Sequence, residues 1–266
     1  MSRLSTPGPL RVATWQFVQF KRLWQANLLS SFLQPLIYLL GLGVGVGTLV
    51  DRNTGSAGAL GGASYVAFVA PGLLITTTMA LAAGESMWPV MGGLKWQRGY
   101  HGIAATPLGA GDIVVGHAVW TAARSLIATG GVAVALACFA TTRSWGLLPA
   151  VVVAMFVGLA FAMPIMAYSV GSPSEGSFPA IQRFVIIPLF LFGGAFYPLS
   201  QLPTVVQWLA KAAPLWHGVV VARAFTVEGG PAIDWLQVAG HLGYTVLFTV
   251  VGTVIATRRL KARLYP

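Results

Sequence analysis

Apolar runs of about twenty residues recur along this chain, each closed by a short polar break or one rich in glycine and proline. That length suits the crossing of a hydrocarbon core of about 30 Å. The runs do not alternate, as the roughly ten-residue strands of a membrane barrel would. The pattern predicts an all-α polytopic membrane protein with six transmembrane helices, at residues 32–50, 65–91, 113–140, 147–170, 178–197 and 235–257. No long polar linker divides it, so residues 1–266 read as a single transmembrane domain.

Ahead of the first run the period changes. From Leu10 to Leu28, Arg11, Thr14, Gln19, Lys21, Arg22 and Gln25 fall in one arc of a helical wheel. Leu10, Ala13, Phe17, Phe20 and Trp24 fall opposite, with Trp15, Gln16 and Val18 as exceptions. Residues 10–28 are therefore expected to lie in the membrane interface, basic face toward the headgroups. The first 31 residues lack the apolar core and small-residue cleavage site of a secretory signal.

Two further stretches interrupt the pattern. In GGLKWQRGYHGIAATPLGAGDI (92–113), Gly92 and Gly93 are expected to end one helix. Pro107, Gly109 and Gly111 mark a turn into the next. The short helix between them carries Lys95, Trp96, Gln97, Arg98, Tyr100 and His101, bases among bulky aromatics. That mixture suits a docking element for a partner; the plainer reading is a solvated loop. In IIPLFLFGGAFYPLSQLPTVVQWLAKAAPLWHGVVVAR (186–223), Pro198, Pro203 and Pro214 cut the chain into helices too short to span. Broken backbone at membrane depth is tolerated only inside protein or along a cavity. The expectation is a re-entrant helical hairpin at 198–217, forming a lid or rim on the outer side.

Composition supports the class and excludes others. The chain is 56% hydrophobic and 8% charged, with mean hydropathy +0.76, against roughly 25% charged residues in ordinary soluble domains. The net charge of +10 does not signal nucleic acid, because the bases gather toward the chain ends instead of forming a stripe. With both termini inside, the cytoplasmic segments carry eleven bases: Arg3, Arg11, Lys21, Arg22, Lys95, Arg98, Arg183, Arg258, Arg259, Lys261 and Arg263. Four, Arg52, Arg143, Lys211 and Arg223, lie outside. This asymmetry predicts cytoplasmic termini, with residues 258–266 as a basic tail. The single cysteine, Cys138, permits no internal disulfide.

Catalytic signatures are missing. There is no HExxH and no GxSxG, and His101, His117, His217 and His241 are scattered among only six acids. No catalytic or metal-binding residues are therefore assigned. Gly-Lys occurs nowhere, so no Walker A loop can hold phosphates, and no cofactor is expected on this chain. GLGVGVG (41–47) has the wrong spacing for a dinucleotide loop and reads as a helix-packing element. Glu85 and Arg124 are ionisable groups within spans, where a lone charge is costly. Arg124 could pair with Glu85 or with Asp112, or extend toward the interface.

YVAFVAPGLL (65–74), IAATPLGAGDIVVGHAVWTAARS (103–125) and FLFGGAFYPLSQLP with APLWHGVVVAR (190–223) resemble the membrane subunits of type-2 ABC exporters. Within them the chain is most similar to nodulation lipo-oligosaccharide exporters and daunorubicin-type drug exporters. The resemblance covers essentially the whole chain and departs from the family at His117, where an acid is common. It implies a permease subunit in the plasma (inner) membrane, moving an amphiphilic substrate (lipid, glycolipid or hydrophobic drug) outward. ATP and Mg would be bound by a separate ATP-binding partner, and a second copy of this chain or a related permease would complete the pore. Residues 92–111 would form the coupling segment, and Phe192, Phe196, Tyr197, Pro198 and Leu199 would line the upper path or outer gate. Membrane lipids would be its surroundings. The rival reading is an ion-coupled secondary carrier, which would place broken helices and ionisable groups at the bilayer midplane.

Overall fold

The computed structural model describes residues 6–21, 37–38, 40–47, 64–227 and 233–265, and every element among them is helical or irregular. Helix α1 is Gly8–Lys21, α2 is Tyr65–Met91 and α3 is the short Gly99–Ala104. Helices α4 and α5 are Ala110–Ala137 and Leu147–Gly171. The continuous helical run Glu175–Phe192 is α6. Then come α7 (Thr204–Lys211), α8 (Pro214–Thr226) and α9 (Trp235–Leu264). Among the described residues five helical stretches are long and apolar enough to cross a membrane: Tyr65–Trp96, Ala110–Ala137, Leu147–Gly171, Glu175–Phe192 and Trp235–Leu264. The predicted span 32–50 is described only at 37–38 and 40–47, and interfacial residues 22–28 and loop residues 51–63 lie outside the described residues.

Helix α5 is the centre, packed by α2, α4, α8 and α9. Its buried face is Val153, Ala154, Val157, Phe161, Met163 and Met166, apolar side chains of modest polarity that need no partners. Small residues set the closest approaches, as expected where helices cannot rely on water to drive them together. A Cβ on Gly252 of α9 would stand 2.5 Å from the Pro164 backbone nitrogen, so α9 crosses α5 backbone to backbone there. Threonines row along α9: the Thr249, Thr253 and Thr257 hydroxyls each donate to the carbonyl four residues earlier.

Several expectations need correction. Gly92 and Gly93 do not end the second span. The helix continues through them as a π-helical turn, Gly92–Trp96, closed by Gln97 N–H donating to the Gly92 carbonyl at 2.8 Å. The fifth span stops at Phe192 instead of Tyr197, because Gly193 and Gly194 follow and Gly194 takes φ +82°. The basic tail is not a loose end, since α9 runs unbroken to Leu264. Gly41 and Gly45 sit in a π-helical turn, Gly41–Val46, where an added Cβ would meet nothing within 4 Å among the described residues.

The proline cuts hold. Pro198, Pro203 and Pro214 each precede or open a new short element, the last two starting α7 and α8. Helix α1, α3 and the C-terminal turn of α9 meet at one end of the bundle, where the Tyr265 hydroxyl approaches the Leu108 carbonyl at 3.3 Å. Helices α7 and α8 meet the start of α9 at the other end, the hairpin end.

Candidate functional site

At the α1 end, α3 is short because Arg98 reverses the chain. Arg98 has φ 50°, the one non-glycine residue among those described with positive φ, a conformation that costs an L-residue of order 1–2 kcal/mol. The reversal presents Lys95, Trp96, Gln97, Arg98 and His101 on the surface, Trp96 being 57% exposed. Tyr100 does not join them. It is buried, its ring against the space a Gly93 side chain would need, and 6.1 Å from the Trp15 ring of α1. Burial pushes the Tyr100 hydroxyl up, opposed by a hydrogen bond with the Gln16 side chain, so it stays neutral. Trp15 in turn fits over Gly99. The predicted docking surface is thus an exposed shell on a buried anchor that clasps α1.

The face by which α1 docks is not the one its amphipathic pattern suggests. Val12 and Gln16 are its buried residues, while Leu10, Phe17 and Val18 are exposed. Gln16, an exception on the wheel, reaches His117 of α4: Gln16 Nε2 to His117 Nδ1 is 3.1 Å. His117 Nε2 lies 3.1 Å from the Ser86 hydroxyl on α2. The Gln16 amide can only donate through Nε2, so His117 accepts at Nδ1 and donates from Nε2 to Ser86. Three elements share one polar chain, and neither Gln16 nor Ser86 was legible as a site residue from sequence.

Two turns along α4 lies the second polar group. Arg124, 1% exposed, pairs with Glu85 at 3.5 Å (Nε to Oε1), and Trp120 Nε1 donates to Glu85 Oε2 at 3.4 Å. Of the two partners open to Arg124 the fold selects Glu85. Asp112 is spent at the start of α4, where its carboxylate accepts from Gly109 N–H at 2.9 Å. The guanidinium also lies over the Phe20 ring of α1, 4.5 Å from its centroid, a cation–π contact. Gln16, Phe20, Glu85, Trp88, His117 and Trp120 all border one cavity of about 350 Å³. Aromatic walls with a few polar groups suit a polar–apolar ligand or a packing hinge alike.

At the hairpin end the predicted gate residues separate. Phe192 is 44% exposed. Phe196 is buried, 5.1 Å from Phe190, and belongs to the main core. Tyr197, Pro198 and Leu199 are half-buried, Leu199 lying 3.2 Å from where a Gly194 Cβ would stand. The Gly193–Ala195 turn seats on α2 at Gly72, whose Cβ would be 2.6 Å from the Ala195 carbonyl oxygen. Arg223 of α8 locks that seat. It donates to the Phe68 carbonyl at 3.1 Å and to the Ala195 carbonyl at 2.7 Å, its guanidinium 3.6 Å over the Phe68 ring. One side chain therefore ties α8, α2 and the turn after α6.

His217 of α8 is not a solitary surface group. It stacks on Tyr244 (centroids 4.1 Å apart), donates from Nε2 to the Lys211 carbonyl, and meets His241 Nδ1 to Nδ1 at 2.7 Å. Burial first, then the His241 neighbour, lowers its pKa.

Comparison with known proteins matches the ABC-2 type transporter family over residues 10–226. Nodulation protein J of Rhizobium leguminosarum bv. trifolii is 34% identical over 255 residues, 95% of this chain and 93% of that protein. Nodulation protein J of Rhizobium meliloti (strain 1021) is 32% identical over 257 residues, 96% of this chain and 94% of that one. The inner membrane transport permease YadH of Escherichia coli (strain K12) is 25% identical over 242 residues, covering 87% and 86%.

Proposed function

Because the chain belongs to the ABC-2 type transporter family, we propose that it is the permease of an exporter driven by ATP hydrolysis on a separate subunit. Its substrate on this reading is an amphiphile, whether lipid, glycolipid or hydrophobic drug, moved outward across the plasma membrane. The observation that carries the proposal is the surface Lys95, Trp96, Gln97, Arg98 and His101, cationic and aromatic, held over buried Tyr100 and half-buried Trp15. A partner that binds ATP and Mg would dock there, and its movement would pass through α1 to α4 and α2 by the Gln16–His117–Ser86 chain.

The rest of the reading follows the same lines. A sixth span at 32–50 and cytoplasmic termini complete the topology, α7 and α8 re-enter the outer leaflet, and two permeases pair. Phe192 and Tyr197 contribute to the upper path, with Pro198 and Leu199 at its rim and Phe196 packed beneath. The buried Glu85–Arg124 pair supports the competing reading, an ion-coupled carrier.

Affinity purification of the tagged chain from its own cells separates the two. On the exporter reading an ATPase with a Walker A motif co-purifies, and Trp96→Ala with Arg98→Ala releases it while the permease remains folded. A chain that comes out alone, without ATPase activity and with transport following a proton or sodium gradient, would reject the exporter.

A further inference from the structure

A groove separate from the Glu85–Arg124 cavity, sharing no lining residue with it, takes no part in this reading. It lies between α5 and α9, has a volume of about 410 Å³, and is walled by Pro164, Tyr168, Leu247, Val251 and Ile255, with Arg259 at one mouth. The backbone crossing at Gly252 creates it: with no side chain there, the helices touch at one level and diverge beside it.

Its dimensions and charge specify an occupant. From Leu247 to Arg259 is twelve residues of helix, about 18 Å at 1.5 Å per residue, close to the roughly 15 Å of one leaflet's hydrocarbon. The walls are apolar and carry no hydrogen-bonding group that would reward a polar chain, apart from Tyr168. At the mouth stands Arg259, with Arg263 one turn further along the same face of α9. Arg258, Arg259, Lys261 and Arg263 fall within two turns, and among the described residues none of them has a carboxylate at ion-pair distance. Arg259 donates from Nη1 to the Ala167 carbonyl at 3.1 Å, which fixes the guanidinium across the groove instead of letting it wander into solvent. Arg263 is tied likewise to the Ser172 carbonyl at 3.0 Å.

We propose that this groove seats one anionic glycerophospholipid, its phosphate at Arg259 and one acyl chain lying along Val251 and Leu247. A zwitterionic lipid offers the same tail but brings its ammonium into the basic cluster, and basic pockets between spans at a membrane face select anionic headgroups. The membrane setting comes from the fold; that the leaflet is the cytoplasmic one rests on the proposed topology. A lipid held there would join α5 to α9 where the two helices diverge.

Native mass spectrometry of the delipidated full-length chain tests this, with dioleoylphosphatidylglycerol and dioleoylphosphatidylcholine added in competition. The expected result is about a fivefold excess of the phosphatidylglycerol adduct. Arg259→Gln should bring the ratio near one, Arg259→Lys should keep it, and Val251→Trp, which fills the groove, should reduce adducts of both lipids. Arg143→Gln, at the hairpin end, should leave the ratio unchanged. Equal adducts on the unaltered chain overturn the proposal, and so does an undiminished ratio in Arg259→Gln or undiminished adducts in Val251→Trp. A Val251→Trp chain that loses dimers but keeps its lipid would assign the groove to a second copy instead, and would equally overturn it. Because the readout needs neither a partner nor transport, a failed exporter reading leaves it intact.

Discussion

Two regions of the bundle are tied by different kinds of contact. Where α1, α2 and α4 meet, side chains bind side chains: Gln16 to His117, His117 to Ser86, Glu85 to Arg124 and Trp120. At the hairpin end, side chains bind backbone: Arg223 holds the Phe68 and Ala195 carbonyls, His217 the Lys211 carbonyl, Tyr244 the Ala212 carbonyl. The reason lies in the chain itself. Within α1, α2 and α4 the regular helices satisfy their own backbone, so polar side chains find one another. At the hairpin end Pro214 and Gly193–Gly194 break the helices, and carbonyls beside the breaks, those of Ala195, Lys211 and Ala212, take side-chain donors. A side-chain network can rearrange by rotamer without unwinding anything; a clamp on carbonyls fixes a turn in one shape. On the proposed function the first arrangement suits a region that responds to a partner and the second a region that closes.

The strongest way to break the contrast is to orphan a buried charge. Glu85→Ala should destabilise the chain by about 3–5 kcal/mol, because Arg124 would keep its charge without a partner. Thermal unfolding in detergent would measure this, and adding Arg124→Leu should restore much of the loss. Arg223→Ala should cost somewhat less, about 2–3 kcal/mol, through two charge-assisted hydrogen bonds. Arg223→Lys should not rescue it, since a single ammonium on a flexible stem cannot reproduce the fork that spans both carbonyls. Rescue by lysine would show that charge, not bridging geometry, is what the turn requires.

A finer test addresses the α1 end alone. Gln16→Leu should cost about 1 kcal/mol of stability while reducing partner-stimulated ATP hydrolysis more than Leu10→Ala does on the exposed face. Equal effects would remove Gln16 from the coupling route. The smallest expected effect is a pH dependence at the hairpin end. His217 has a folded-state pKa below 6.5, so the unfolded state binds more protons there. The contact should be complete above about pH 6.5 and weaken as pH falls below it, and His217→Phe should reduce the slope.

Much of this architecture was legible in sequence because membrane spans announce themselves by length, and because proline has one effect on a helix wherever it stands. Glu85 and Arg124 were legible too, as charges that a span would not otherwise carry. What escaped was set by neighbours far along the chain. Gly92 and Gly93 read as a helix end, yet Tyr100 packs over Gly93 and the backbone stays bonded through a wider turn. Gln16 read as an imperfection in an amphipathic helix, since a wheel has no way to show His117, 101 residues away. For Phe196 the resemblance implied a path role, while the reversal at Gly194 turns its side chain into the core.

The close crossing of α9 over α5 at Gly252 would be the fulcrum for any tilt of α9. The backbones meet there at Met163 and Pro164, while Ala256 and Leu260 pack in the core and Arg259 holds the Ala167 carbonyl further along. Along α9 the arm to Arg259 is seven residues, about 10 Å, and the arm to His241 is eleven, about 16 Å. A rigid α9 pushed sideways at its basic end would therefore swing at its histidine end in the opposite direction and half as far again.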